Sequence, residues 1–333
     1  MSTLEKTDLN IGFIPLLDCI ALLWAKHQGY FAEQGLNVTL VKEPSWASLR
    51  DRLAFGFLDA AHCLSAIIPA TTIAEDHLGI QLQTPLILTN NTAFISLNQA
   101  LCHQLDISLQ DAPESSAQKI VNALKEGTKI QFAHVFKQSI HHYILREWLA
   151  LADEDFARNY HLSALPPPYM VEAIANHLID GFCVGEPWNT QAEIQGYSHI
   201  IASSQDIVPK IPDKVLAVTQ DWAQQHPNSL AALVTAIQKA QDDLKNLKEF
   251  DQVWTLLEEY RIIQFNCSAE IHVNAYYKIQ NIIRNFVDNA IPQSTDFKWI
   301  ITHMCKWDKI DIDDQNVDKI SDDCIVNFET PNN

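Results

Sequence analysis

Glycine is scarce in this chain, nine in 333 residues, so loops that cradle phosphate with successive backbone N–H groups have little material. No P-loop, G-x-G-x-x-G, G-x-S-x-G or H-E-x-x-H pattern occurs, and without these or any other catalytic set, binding is favoured over catalysis. Positive charge is also short, with 41 acidic residues against 23 lysines and arginines and a formal charge of −18. A nucleic-acid binder needs a basic face, so no direct nucleic-acid partner is expected. Seven cysteines (Cys19, Cys63, Cys102, Cys183, Cys267, Cys305, Cys324) form no CxxC or C-x-H cluster, and several lie in apolar runs such as Phe182-Cys183-Val184. Buried, reduced thiols are expected rather than metal ligands or disulfides, and no cofactor. No apolar run reaches the roughly 18 residues of a membrane span. The first residues show neither a basic n-region nor an apolar h-region, so a cytoplasmic location is expected, although a chain trimmed of its leader would read the same.

What is present is a repeated pattern. Residues 9–64 read strand (Leu9 to Ile14), helix (Cys19 to Gln34), strand (Asn37 to Lys42), helix (Ser45 to Phe57), strand (Ala60 to Leu64). Residues 129–187 repeat it: strand (Lys129 to Phe136), helix (Ser139 to Ala152), strand (Tyr160 to Leu165), helix (Tyr169 to Ile179), strand (Gly181 to Glu186). Both passes close through an aspartate, in Phe57-Leu58-Asp59-Ala60 and Leu178-Ile179-Asp180-Gly181. Two α/β lobes follow, with a ligand cleft expected at the carboxyl ends of their strands. The expected organisation is residues 8–97 as the first part of lobe 1, 98–212 as lobe 2, 213–307 as the return to lobe 1 with C-terminal helices, and 308–333 as an acidic, frayed or partner-bound tail. Gln104 to Gln118 reads as polar and irregular, with Asp111 to Ser116 as loop. Val215 to Val218 is expected to pair with the first sheet, and two crossovers would permit hinge closure.

The candidate site residues sit at the starts of helices. Asp18 is read as a helix cap. Ser45 is a natural N-cap that leaves Trp46 on the first turn, where free N–H groups favour an anion; Trp46 is either a neutral donor there or a packing residue between lobes. Ser139 is the equivalent cap before His141 and His142, of which only one need face the cleft. A histidine pair without a third ligand favours hydrogen bonding over a metal. Lys214 falls near the hinge and is one of few cations available there; the ordinary reading is a solvated surface lysine.

At these residues the chain resembles the NrtA/CmpA family of nitrate and bicarbonate substrate-binding proteins. The shared wording is Gly12-Phe13-Ile14-Pro15-Leu16 with Asp18-Cys19, Gly29 to Leu36, Ser45-Trp46-Ala47, Leu58-Asp59-Ala60-Ala61-His62, Pro166-Pro167-Pro168, Asp180 through Asn189, and the helix Trp299 to Trp307 around Met304. The resemblance implies an α/β, two-lobed type II periplasmic-binding-protein fold with an interlobe ligand cleft and no enzymatic activity. It matches Trp46, His141 and Lys214 to the family's anion-contacting tryptophan, histidine and lysine. The chain departs from the family at Ala93, where an amide donor is usual, and at Lys137-Gln138-Ser139-Ile140, where a glycine turn and a hydroxyl are usual; Asn91, Thr92 or Lys137 are the substitutes at hand.

With no leader visible, the resemblance points to the family's cytoplasmic branch of nitrate and nitrite sensors (NasS), which hold an RNA-binding antiterminator (NasT) until the anion arrives. The alternative is the substrate-binding component of a nitrate/bicarbonate-type ABC transporter. Thiamine-pyrimidine synthases share the fold but carry a cysteine-dense motif not found here.

Overall fold

The computed structural model describes residues 3–73, 78–108, 110–265 and 272–327; Cys267 and the last six residues lie outside them. Two compact units emerge, one of Met1–Asn90, Pro212–Tyr260 and Ile283–Asn333, the other of Asn91–Ile211 and Arg261–Ile282. The described strands are β1 (Asp8–Phe13), β2 (Asn37–Lys42), β3 (Ala60–Leu64), β4 (Leu82–Asn90), β5 (Phe94–Asn98), β6 (Phe132–His134), β7 (Leu162–Ala164), β8 (Gly181–Val184), β9 (Ser198–Ser203) and β10 (Pro212–Thr219).

The first unit holds a sheet of order β2-β1-β3-β10-β4 and the second a sheet of order β7-β6-β8-β5-β9. In each, three strands run parallel, and the fourth in order, β10 or β5, is antiparallel to both of its neighbours. Each antiparallel strand is the first one the chain forms after passing from one unit to the other. β3 and β8 are buried along their whole length, which is why neither shows the apolar/polar alternation of a half-exposed strand.

The repeated aspartate has the same task in both units. Asp59 accepts the Asn10 amide at 2.9 Å while its own amide donates to the Asn10 carbonyl at 2.8 Å. Asp180 does the same with Gln131, at 2.8 Å in both directions. Each aspartate thereby ties the entry of a strand to the neighbouring strand's start. Gly181, next to the second one, leaves no room for a side chain: a Cβ there would lie 2.6 Å from the Phe132 ring and 2.7 Å from Leu97.

Several expectations are revised. The residues 91–97 placed in lobe 1 belong to the second unit, because β5 pairs with β8 and β9. Residues 261–282 also belong there, so the chain passes between units four times rather than twice. The helix expected over Cys19 to Gln34 is two, Ile20–His27 and Tyr30–Glu33, separated by Gly29 at φ 77°, a left-handed conformation that stops the first. Within Asp111 to Ser116 a helix already begins at Pro113, whose missing N–H costs nothing at a first helical position.

The acidic tail is folded through Asn327. Its helix Asp314–Asp323 leads into Cys324, whose carbonyl accepts the Thr84 amide at 2.8 Å, while Thr84 accepts Val326 N–H at 3.0 Å. β4 is an edge strand, and the tail covers part of that edge.

Candidate functional site

The first unit carries an ion cluster at the ends of its central strands. Asp18 lies in a 3-10 turn (Leu17–Cys19) just after β1, with no capping bond. It is not the helix cap that its position suggested, because its carboxylate is used elsewhere. Oδ1 lies 2.8 Å from His62 Nε2, and Oδ2 lies 3.0 Å from Lys214 Nζ. Lys214 Nζ also donates to Asp213 Oδ2 at 2.7 Å. His62 and Lys214 are 0% exposed, which places them inside the sheet because β3 and β10 are adjacent.

Lys214 is therefore not a solvated surface residue. Burial pushes its ammonium toward neutrality, but Asp18 and Asp213 more than reverse this and hold it charged. Burial likewise raises the Asp18 carboxyl, and the Lys214 ammonium and then His62 bring it well below the usual carboxylate range.

Trp46 completes the cluster. Ser45 caps the helix Trp46–Ala54 by accepting the Ser48 amide at 3.2 Å, as the sequence indicated. Glu43, buried just before it, accepts Ser48 Oγ at 2.7 Å and pairs with Arg52 at 2.8 Å, fixing the first turns. The Trp46 ring lies 5.6 Å from the His62 ring and 5.8 Å from Lys214 Nζ. Trp46 is 1% exposed. Its Nε1, both His62 ring nitrogens and Asp18 Oδ1 are buried and have no hydrogen-bond partner among the described residues, although Asp18 Oδ1 and His62 Nε2 face each other at 2.8 Å. Buried polar atoms are normally satisfied, so the indole N–H of Trp46 and Nδ1 of the neighbouring His62 are polar atoms with hydrogen-bonding capacity to spare.

The second unit holds the other expected residues. Ser139 caps the helix Ile140–Ala150 by accepting the His142 amide at 3.1 Å, and His141 is buried on its first turn. His142 Nδ1 donates to the Lys137 carbonyl at 2.9 Å and Nε2 accepts Arg146 Nε at 3.1 Å. That leaves His142 neutral and occupied. Its ring stacks on His134 at 4.6 Å; burial first, then the His134 and Arg146 charges, hold its pKa well below the ordinary value. His134 is pushed down to about 4, chiefly by burial.

Asn91 is a clamp: its Nδ2 donates to the Pro209 carbonyl at 3.2 Å and its Oδ1 accepts Ile211 N–H at 3.0 Å. Its amide thereby helps to fix the crossing segment. Thr92 is partly exposed beside it. The structure thus brings Trp46 and Lys214 together and places His141, Asn91 and Thr92 in the other unit. Sequence reasoning missed His62 and Asp213, although the Ala61-His62 and Asp213-Lys214 adjacencies were visible. The Gly185 to Asn189 motif is structural: Asn189 links Ser96 Oγ (2.7 Å) to the Val184 carbonyl (2.7 Å), and Glu186 binds Thr190 N–H and Oγ together with Lys278.

The described thiols are free, all but Cys305 buried, and burial pushes Cys63 up to about 12 and Cys102 up to about 11. Among the described residues no group of three His, Cys, Asp or Glu could hold a metal ion, and no helix is long and apolar enough to cross a membrane.

Two mixed five-stranded sheets with flanking helices, each following the same strand order, define the two-lobed periplasmic-binding-protein fold. The chain belongs to the NMT1-like family, whose pattern matches residues 2–257. It is similar to the bicarbonate transport ATP-binding protein CmpC of Synechocystis, 31% identical over 320 residues, covering 92% of this chain and 47% of that protein; the chain spans less than half of that relative's length. The nitrate/nitrite binding protein NrtA of Nostoc is 29% identical over 321 residues, covering 91% of this chain and 71% of NrtA. The crystal structure of the periplasmic nitrate-binding protein NrtA from Synechocystis superposes with a TM-score of 0.81 at 23% identity, covering 96% of this chain and 86% of that one.

Proposed function

We propose that this chain binds a small oxyanion, nitrate or nitrite, and acts as a cytoplasmic sensor that holds an RNA-binding antiterminator and releases it when the anion is bound. The observation that carries the anion reading is the buried, unpartnered Trp46 indole N–H at a capped helix N-terminus, with the Lys214 ammonium over its ring. A neutral donor, a cation and a helix N-terminus are what a small anion needs once stripped of water. Relatives named for nitrate, nitrite and bicarbonate support the ligand class.

The sensing step rests on the resemblance and on charge. A net −18 suits a basic partner surface. If the anion-bound and anion-free forms differ in partner affinity by the usual coupling of about 1 to 3 kcal/mol, release is roughly 5-fold to 150-fold. The import proteins among the relatives favour a second reading, a transporter's substrate-binding component.

Thermal unfolding with nitrate, nitrite, bicarbonate and sulfate tests the ligand. Nitrate or nitrite at about 100 times its Kd should stabilise the protein by roughly 2.7 kcal/mol, and bicarbonate should not. Unchanged melting in millimolar nitrate and nitrite would remove the reading.

A further inference from the structure

The Asp18 carboxylate decides which nitrogen of His62 carries the first proton. Asp18 stays ionised beside Lys214, and its Oδ1 faces His62 Nε2 at 2.8 Å; the contact lacks hydrogen-bond geometry, but a bare nitrogen lone pair that close to a carboxylate oxygen would be repelled, so the neutral ring carries its proton on Nε2. Nδ1 is then a bare lone pair whenever the ring is neutral, and this atom is buried without a hydrogen-bond partner among the described residues. An oxyanion carrying no hydrogen has only lone pairs to offer. Against a neutral His62 it would meet like with like, whereas an imidazolium presents Nδ1–H.

The charges agree. Asp18 and Asp213 against Lys214 leave one uncompensated negative charge when His62 is neutral. A monovalent anion makes two in this buried site, and one proton on the ring removes the increment. We propose that a monovalent oxyanion enters this cluster together with one proton from solvent, taken up at His62 Nδ1.

This rests on the anion reading above. Other groups are already engaged. On the helix packed against β3, Arg50 pairs with Asp51 and Arg52 with Glu43. On β1, Asp8 accepts Asn37 Nδ2 at the far end of the strand. On β10, Asp213 and Lys214 pair with each other, and the helix Ile67–Thr72 carries no titratable residue.

Calorimetric titration of the full chain with sodium nitrate, in paired buffers of low and high ionisation enthalpy, counts the protons. Across a pH series, uptake should approach one proton per nitrate at the alkaline end, where Kd should rise about tenfold per pH unit. His62→Gln should abolish both effects. Nitrate binding with no proton exchange, or uptake unchanged in His62→Gln, overturns the coupling. If the variant does not fold, nitrogen-15 NMR of histidine-labelled wild type decides: nitrate should move one imidazole to the imidazolium shift, and no such resonance overturns the proposal. No nitrate binding at any pH overturns the anion reading itself.

Discussion

Lys214 is the cation that balances two buried carboxylates inside the first unit. It sits at 0% exposure between two carboxylates, so Lys214→Glu would put three acids into one buried cluster. Removing one partner of a buried pair costs about 3 to 5 kcal/mol, and adding like charge costs more. Lys214→Glu should therefore lower the urea midpoint sharply or prevent folding, contrary to the sequence-based view of a tolerant surface position. A midpoint within error of wild type would show that the lysine does not balance the aspartates. The stacked His134 and His142 make a second residue-scale prediction. Their pKa values are lowered in the fold, to about 4 for His134 from 6.5, so the unfolded chain takes protons first. Stability is then full above about pH 6.5 and falls as pH drops toward 4; His134 alone accounts for about 2 kcal/mol at pH 5. Urea unfolding at pH 7.5 and pH 5 should show this loss, and His134→Asn should reduce it.

Among the elements, the two aspartate clamps give the clearest comparison. Asp59→Ala and Asp180→Ala each orphan a backbone N–H at a strand entry, at a cost of about 1 to 3 kcal/mol. Asp59 should cost more, because it also receives Trp222 Nε1 at 2.9 Å and pairs with Lys6. Chemical denaturation of the two variants checks the order; equal or negligible losses would mean that the strand pairing holds without the carboxylates. The tail helix illustrates a different kind of element. Asp308 to Asn333 is acidic and poor in large apolar residues, and composition alone reads it as frayed or partner-bound. It is ordered through Asn327 because β4 presents an open edge at Thr84, and an unpaired edge is a docking surface that no local pattern in the tail announces.

At the scale of the whole molecule, the charge of −18 makes a claim about association. A complex with a basic RNA-binding antiterminator should form without anion, weaken as sodium chloride rises from about 0.05 to 0.5 M through screening, and dissociate on nitrate at constant ionic strength. Size-exclusion chromatography with nitrate against chloride at matched ionic strength separates the specific effect from screening. Co-elution that nitrate and chloride disturb equally would leave a binding protein without the regulatory output.

The repeated β-α-β-α-β units, the Ser45 and Ser139 caps and the return of Val215 to Val218 to the first sheet were legible in the chain, because these are written in local periodicity and capping chemistry. Trp46 was legible as a candidate since a cap places it. Only the tertiary structure decided that β5 joins the second sheet, that Asn91 is a clamp, and that Asp18, His62, Asp213 and Lys214 share one buried cluster. Those residues lie far apart in sequence on β3, β10 and the turn after β1, and the strand order that makes them neighbours is fixed by long-range pairing. Whether a lone lysine is a solvated cation or half of a buried ion pair depends on partners that no local pattern of the chain can specify.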